Sequence, residues 1–234
     1  MYRSEGLTRW LWLLPCVLFA ALVFYEFWFF AQILYWKSNN PDTTRFMELR
    51  LRTMRAADPR AKLRQYWIEY DRVSINLKRA IIAAEDAKFL DHEGFDWEGI
   101  QKAMEKNARR GRLVAGGSTI SQQLAKNLFL SGERSVARKA QEAVITGMLE
   151  VFMSKRRIFE MYLNVAEWGE GIFGAEAAAR HYFGTSATTL SAEQAARLAA
   201  MLPRPRYYDR NRTSPYLAQY AQTILSRMSS VQVP

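Results

Sequence analysis

Between Trp10 and Trp36 the chain reads WLWLLPCVLFAALVFYEFWFFAQILYW, and only Glu26 and Gln32 within it are strongly polar. A helix needs about 20 mainly apolar residues to cross the hydrocarbon of a bilayer, and Trp10 to Phe30 supplies them with one charge. Aromatic side chains crowd both ends (Trp10 and Trp12; Trp28, Tyr35 and Trp36), as expected at head-group level. A cleaved signal peptide would have a shorter apolar run and small residues at a cleavage site. Here Ala20 and Ala21 sit mid-segment with bulky aromatics after them, so the segment reads as a retained anchor. The flanking charges leave sidedness open. Arg3 and Arg9 precede the segment, while Lys37, Arg45, Arg50, Arg52, Arg55, Arg60, Lys62 and Arg64 follow it. A naive positive-inside count would keep the rest of the chain in the cytoplasm, but charges on long translocated domains count little.

The remainder suits one domain. Hydrophobic residues make up 49% of the 234, enough for a real core. Cys16 stands alone, which excludes an intrachain disulfide and a cysteine zinc site. A net charge of +10 calls for an anionic partner: nucleic acid, acidic lipid or a phosphorylated substrate.

Helical spacing dominates the soluble part, with no sustained period-two alternation. The pattern predicts helices over 43–57, 77–89, 97–108, 119–130, 134–153, 155–167, from Ser191 (where Ser191-x-x-Gln194 can form a capping box) to before Pro203, and 215–228. Between 167 and 191 lies a stretch punctuated by Gly169, Gly171, Gly174 and Gly184.

In AIIAAEDAKFLDHEGFDW, residues 80–97, a helix would set Glu85 on one face with Ile81, Ile82 and Phe89, and His92 would extend that face. A carboxylate so placed is partly desolvated and becomes a better proton acceptor. Spacing alone equally allows an ordinary solvated helix end.

In GRLVAGGSTISQQLAKNLFL, residues 111–130, Thr119-x-x-Gln122 can form a capping box. The free N–H groups of such a helix start favour an anion. The near match to a nucleotide-binding loop fails, because Gly117 replaces the lysine and no strand precedes it. In GERSVARKAQEAVITGMLE, residues 132–150, Arg134, Arg138 and Glu142 follow one another at i,i+4 spacing, making a basic face with one acid set into it.

The order of these segments says more than any one of them. Glu85-Asp86-x-x-Phe89-x-x-His92-x-Gly94 is followed by Gly117-Ser118-Thr119-Ile120-x-Gln122-Gln123-x-x-Lys126-Asn127. Then come Arg138-Lys139-x-x-Glu142, a segment from Lys155 to Tyr162-Leu163-Asn164, and Leu190-Ser191-x-x-Gln194-Ala195-Ala196. The series resembles the peptidoglycan glycosyltransferases, which polymerise lipid II, over roughly residues 60–210. Phe159 departs from the family's usual leucine and touches packing only. YLNVAEWGEGIFG and the chain's extent resemble the monofunctional biosynthetic branch. The S-x-x-K and K-T-G motifs of an appended transpeptidase do not occur.

The resemblance implies a mainly α fold: a lysozyme-like helical glycosyltransferase domain with a small membrane-apposed jaw lobe, plus one N-terminal transmembrane helix. The expected organisation is a short cytoplasmic N-terminus (1–9), the anchor (10–36), a juxtamembrane or jaw segment (37–60), the glycosyltransferase domain (61–228) and a tail (229–234). The implied reaction transfers a growing glycan from undecaprenyl pyrophosphate to lipid II with inversion. Glu85 and Glu142 are the implied catalytic acids, Glu85 as base and Glu142 orienting cations or holding a metal. Lys126, Arg134, Arg138 and Lys139 are the implied pyrophosphate residues. Ser118, Thr119, Gln122 and Gln123 shape the donor cleft, supported by Asp86, Phe89, His92, Gly94 and Asn164. No cofactor is required, though a divalent cation (Mg or Mn) is compatible. The implied partners are lipid II, the lipid-linked glycan, membrane lipid and other cell-wall synthesis or division proteins, not nucleic acid. The resemblance also puts the catalytic part on the periplasmic side of a bacterial inner membrane. Two rivals are a lytic, lysozyme-like cleaving enzyme and a non-enzymatic basic membrane-tethered binding protein.

Overall fold

The long apolar run does form one continuous helix. The computed structural model describes residues 4–112, 116–133 and 135–234, with side chains from residue 13, and divides them at Asn40–Pro41. In the first unit α1 (Ser4–Trp36) holds a mainly apolar stretch, Leu13–Trp36, of 24 residues. At 1.5 Å per residue that stretch is about 36 Å long, enough for a bilayer core of about 30 Å. It is the one such helix among the described residues.

The second unit is mostly helical. Its elements are α2 (Arg45–Ala57), β1 (Arg64–Gln65), α3 (Ile75–Glu85), α4 (Trp97–Arg110), α5 (Ile120–Phe129), α6 (Val136–Phe152) and α7 (Lys155–Val165). After them come β2 (Glu167–Gly169), β3 (Ile172–Phe173), α8 (Ala175–Phe183), α9 (Ala192–Met201), α10 (Pro205–Arg210) and α11 (Pro215–Arg227). Most helices start on a side chain that accepts an otherwise unpaired N–H: Thr44 for α2, Ser74 for α3, Asp96 for α4 and Ser135 for α6. Thr119 with Gln122, and Ser191 with Gln194, close the capping boxes expected for α5 and α9.

α3 packs on both α9 and α11, and α5 packs on α6 and α7 with α2 laid across it. Their shared faces make the core: Leu77, Ile81 and Ile82 of α3, Ile120 and Leu124 of α5, and Phe159 and Tyr162 of α7 are all fully buried.

Three features differ from the sequence expectation. The helix expected over 77–89 stops at Glu85, because Asp86 leaves helical geometry (φ −163°, ψ 73°) and sends its carboxylate to the start of α5. Phe89 therefore reaches the core from the turn beyond α3, and Glu85 owes its inward direction to Ile81 and Ile82. Second, β1, β3 and β2 form a small sheet in that order, β1–β3 parallel and β3–β2 antiparallel. Strands of two or three residues are too short to show alternation. Third, the glycine-punctuated stretch contains α8, and Pro205 begins α10 at its first turn rather than merely ending what precedes it.

Asn164 ties the end of α7 to the segment after β1. Its Oδ1 accepts from the Ile68 N–H at 2.8 Å, and its Nδ2 donates to the Ile68 and Glu160 carbonyls, each at 2.9 Å. Gly174 (φ +81°) turns directly against this point, where a Cβ would come 2.7 Å from the Asn164 carbonyl oxygen.

Asn164→Ala leaves a buried Ile68 N–H and C=O unpaired, which we expect to cost about 3 kcal/mol. For a domain of this size that corresponds to a drop in Tm of about 6–12 °C, read by circular dichroism. An unchanged Tm would mean the clip contributes nothing to stability.

Candidate active site

The end of α3 meets the start of α5 through one carboxylate. Asp86 Oδ2 accepts the Ile120 N–H at 2.9 Å, one of the donors that a helix start leaves open. His92 Nε2 lies 3.0 Å from Asp86 Oδ1, while His92 Nδ1 accepts the Gly94 N–H at 3.1 Å. Because Nδ1 accepts, Nε2 carries the proton and donates to Asp86. Thr119 Oγ1 closes the loop by donating to the Gly94 carbonyl at 2.7 Å. Gly94 (φ +89°) is pressed so closely that a Cβ would lie 2.8 Å from Thr146 Cγ2. Phe89, fully buried, packs at 5.7 Å between ring centroids on Phe159, with Lys155 Nζ 4.6 Å above its ring.

This clasp fixes where Glu85 stands relative to α5. Gln123 Nε2 donates to Glu85 Oε2 at 2.6 Å, and Tyr162 OH from α7 donates to Gln123 Oε1 at 3.0 Å. Burial raises the Glu85 pKa above the usual carboxylate range. The Gln123 hydrogen bond and the Lys126 charge pull it partly back, and neighbouring Asp86 pushes it up. The result is a carboxylate with more affinity for a proton than a surface glutamate.

One turn along α5, Lys126 has its pKa lowered, first by burial. Glu142 and Glu85 favour its charge, whereas Arg138 and Lys139 oppose it. The Glu142 side chain is buried and accepts from Arg138 Nη1 at 2.7 Å and from Lys139 Nζ. Arg138 Nε is buried and, among the described residues, has no hydrogen-bond partner. A lysine and an arginine anchored on one buried acid, next to a desolvated lysine, suit an anion with several oxygens.

Of the residues singled out in the sequence, Glu85, Gln123, Lys126, Arg138, Lys139 and Glu142 come together here through hydrogen bonds or charge. Thr119 and Gln122 spend their side chains on the α5 cap, and Ser118 is exposed beside it. Asp86, Phe89, His92 and Gly94 build the clasp, and Asn164 holds the far end of α7. Arg134 lies outside the described residues.

Sequence reasoning missed the cavity adjoining Gln123 and Lys126. It has a volume of about 410 Å³ and is lined also by Phe46 and Arg50 of α2, Tyr162, Glu167, and Arg204 and Arg206 around the start of α10. Arg50 grips Glu167 bidentately (2.6 and 3.0 Å), and burial still raises the Glu167 pKa. Tyr162 shares a helical stripe with Ile158, Met161 and Val165, and in the sequence such a stripe reads as core. The alternation of prolines and arginines, Pro203-Arg204-Pro205-Arg206, is the one local signal that could have pointed to this wall.

Comparison with known proteins gives the family. The transglycosylase family model matches residues 52–229. The chain is 60% identical to the biosynthetic peptidoglycan transglycosylase of Nitrosospira multiformis, covering 97% of this chain and 98% of that one. It is 61% identical to the protein of the same name from Dechloromonas aromatica (97% and 99% covered). The one from Methylobacillus flagellatus is also 61% identical (91% and 93% covered).

A glutamate whose folded-state pKa is raised binds a proton more tightly folded than unfolded. Its ionisation therefore removes stability as pH rises from the ordinary carboxylate range through the folded value. Glu85→Gln should accordingly raise Tm at pH 8 and change it little at pH 4. Differential scanning calorimetry at the two pH values checks this, and a lower Tm at pH 8 would contradict the strained state of this carboxylate.

Proposed function

This chain belongs to the transglycosylase family, and from that premise we propose that it links lipid-borne sugar units into peptidoglycan glycan strands with Glu85 as its base. The observation that carries the reading is the pairing of opposites around α5. A carboxylate of raised proton affinity sits on one side of Gln123 and Lys126, and cations organised by a buried glutamate lie on the other.

The chemistry follows from that arrangement. Glu85 takes the proton from the 4-hydroxyl of a lipid II acceptor as that oxygen attacks the anomeric carbon of the lipid-linked donor. The bond from that carbon to pyrophosphate breaks, its electron pair leaves with undecaprenyl pyrophosphate, and the α linkage becomes β. Such general-base help is worth about 10²–10⁴ in rate. The departing pyrophosphate gains negative charge as the bond breaks, and preorganised cations stabilise that change. Lys126, Arg138 and Lys139 take this role. Glu142 has both oxygens engaged and acts by holding Arg138 and Lys139 in place. No three His, Cys, Asp or Glu side chains gather as metal ligands among the described residues.

A lipid-linked substrate stays in the membrane, and α1 keeps the enzyme at the same surface, which raises its effective concentration there. On this reading the anchor crosses the bacterial inner membrane once and the catalytic unit faces the periplasm. A lytic enzyme would use its acid to protonate a leaving oxygen and would need no cation cluster for pyrophosphate.

Purified protein incubated with labelled lipid II should give polymer resolvable by gel electrophoresis. Glu85→Gln should lose about 10²–10⁴ of that rate, and Arg138→Ala about 10- to 100-fold through the lost charge-assisted bonds. A Glu85→Gln variant as active as wild type rules out the base. Shortening of pre-formed glycan without polymer would favour the lytic enzyme.

A further inference from the structure

We propose that Tyr162 is a positioning residue that orients the Gln123 amide, so that its NH₂ group rather than its carbonyl faces the catalytic carboxylate. The idea rests on Glu85 being the base as far as turnover is concerned, though its structural part stands apart from the reaction.

An ionised carboxylate only accepts hydrogen bonds, so a glutamine beside it must present its NH₂ group. The amide oxygen then points the other way, toward the buried Tyr162 hydroxyl, which needs an acceptor because a buried polar group left unpaired is costly. Tyr162 is the donor: its hydroxyl lies 3.0 Å from Gln123 Oε1, and Gln123 Nε2 lies 2.6 Å from Glu85 Oε2. The phenol is 1% exposed, and burial together with the Glu85 and Asp86 charges pushes its pKa well up. It therefore keeps its proton to donate. Without the hydroxyl, an amide flip would turn its oxygen toward Glu85 and favour the protonated acid, which is inactive as a base. The groups that bear on Glu85 come from four elements. They are Asp86 just past α3, Gln123 and Lys126 on α5, Tyr162 on α7, and Tyr220 on α11, whose hydroxyl donates to the Ala84 carbonyl at 3.3 Å. Among the described residues, Lys126 and the Gln123 amide are the groups that favour the ionised form, so the amide's direction matters.

The test uses the full chain in detergent micelles, labelled with ¹³C in glutamate carboxyls. The Glu85 resonance is assigned by its loss in Glu85→Gln. In Tyr162→Phe, Glu85 should titrate at higher pH than in wild type. The acid limb of kcat on lipid II should move the same way, because a base is lost as pH falls through its pKa. At pH 7 kcat should fall roughly three- to tenfold, as for one lost hydrogen bond, with KM little changed. In a Gln123→Leu background, Tyr162→Phe should add no further displacement, since the tyrosine acts through that amide. The proposal is overturned by an unmoved Glu85 titration, by an equal displacement in the Gln123→Leu background, or by a change in KM alone. If Tyr162→Phe does not fold, Gln123→Leu by itself must raise the Glu85 titration, and an unmoved value there overturns the proposal equally. The carboxyl titration needs no turnover, so a protein that makes no polymer would sink the functional reading and leave this one to be judged separately.

Discussion

The site depends on the bond from the Asp86 carboxylate to the first N–H of α5. Glu85 and Asp86 are chain neighbours with opposite duties. Asp86 breaks α3 and fastens the next helix, and Glu85, one position earlier, is thereby held against that helix's side. His92, Gly94 and Thr119 brace the joint from behind, so that the carboxylate, the amide and the lysine are carried by two rigid elements rather than by a loop. Fixed geometry of this kind allows charges to be in place before the reaction needs them.

Around that joint the electrostatics are deliberately uneven. Burial works against the charge of both Glu85 and Lys126, raising one pKa and lowering the other. Each is partly compensated by the other, and Lys126 further by Glu142. Glu142 is the better satisfied acid, with two cationic partners, while Glu85 has a neutral amide as its closest one. The difference separates their work: the well-paired acid organises cations, and the poorly paired one keeps appetite for a proton.

Much of this was legible in the sequence, for identifiable reasons. Helices of ten residues or more announce themselves by apolar spacing and caps, and the capping boxes at Thr119 and Ser191 stand where the pattern put them. The order of acids, glutamines and basic residues pointed to the same family that the comparisons give. What the pattern hid was of two kinds. Strands of two or three residues are below the length at which periodicity exists. Contacts far apart in the chain, such as Arg50 with Glu167 or Tyr162 with Gln123, leave no local trace, and a tyrosine in an apolar stripe looks like packing. The end of α3 was misplaced because the force that stops it is a long-range bond to Ile120, thirty-four residues on.

One further consequence follows from Gln123 and Lys126 sharing α5, the helix whose first turn is pinned by both Asp86 and the Thr119–Gln122 cap. Each residue of a helix advances about 1.5 Å and turns about 100°. Inserting or deleting a single residue between Thr119 and Gln123 would swing the amide and the ammonium away from Glu85 together, with no slack at the pinned end to absorb it. For this stretch the constraint is one of distance as well as of chemistry, kept in the count of residues between the cap and the two side chains that face Glu85.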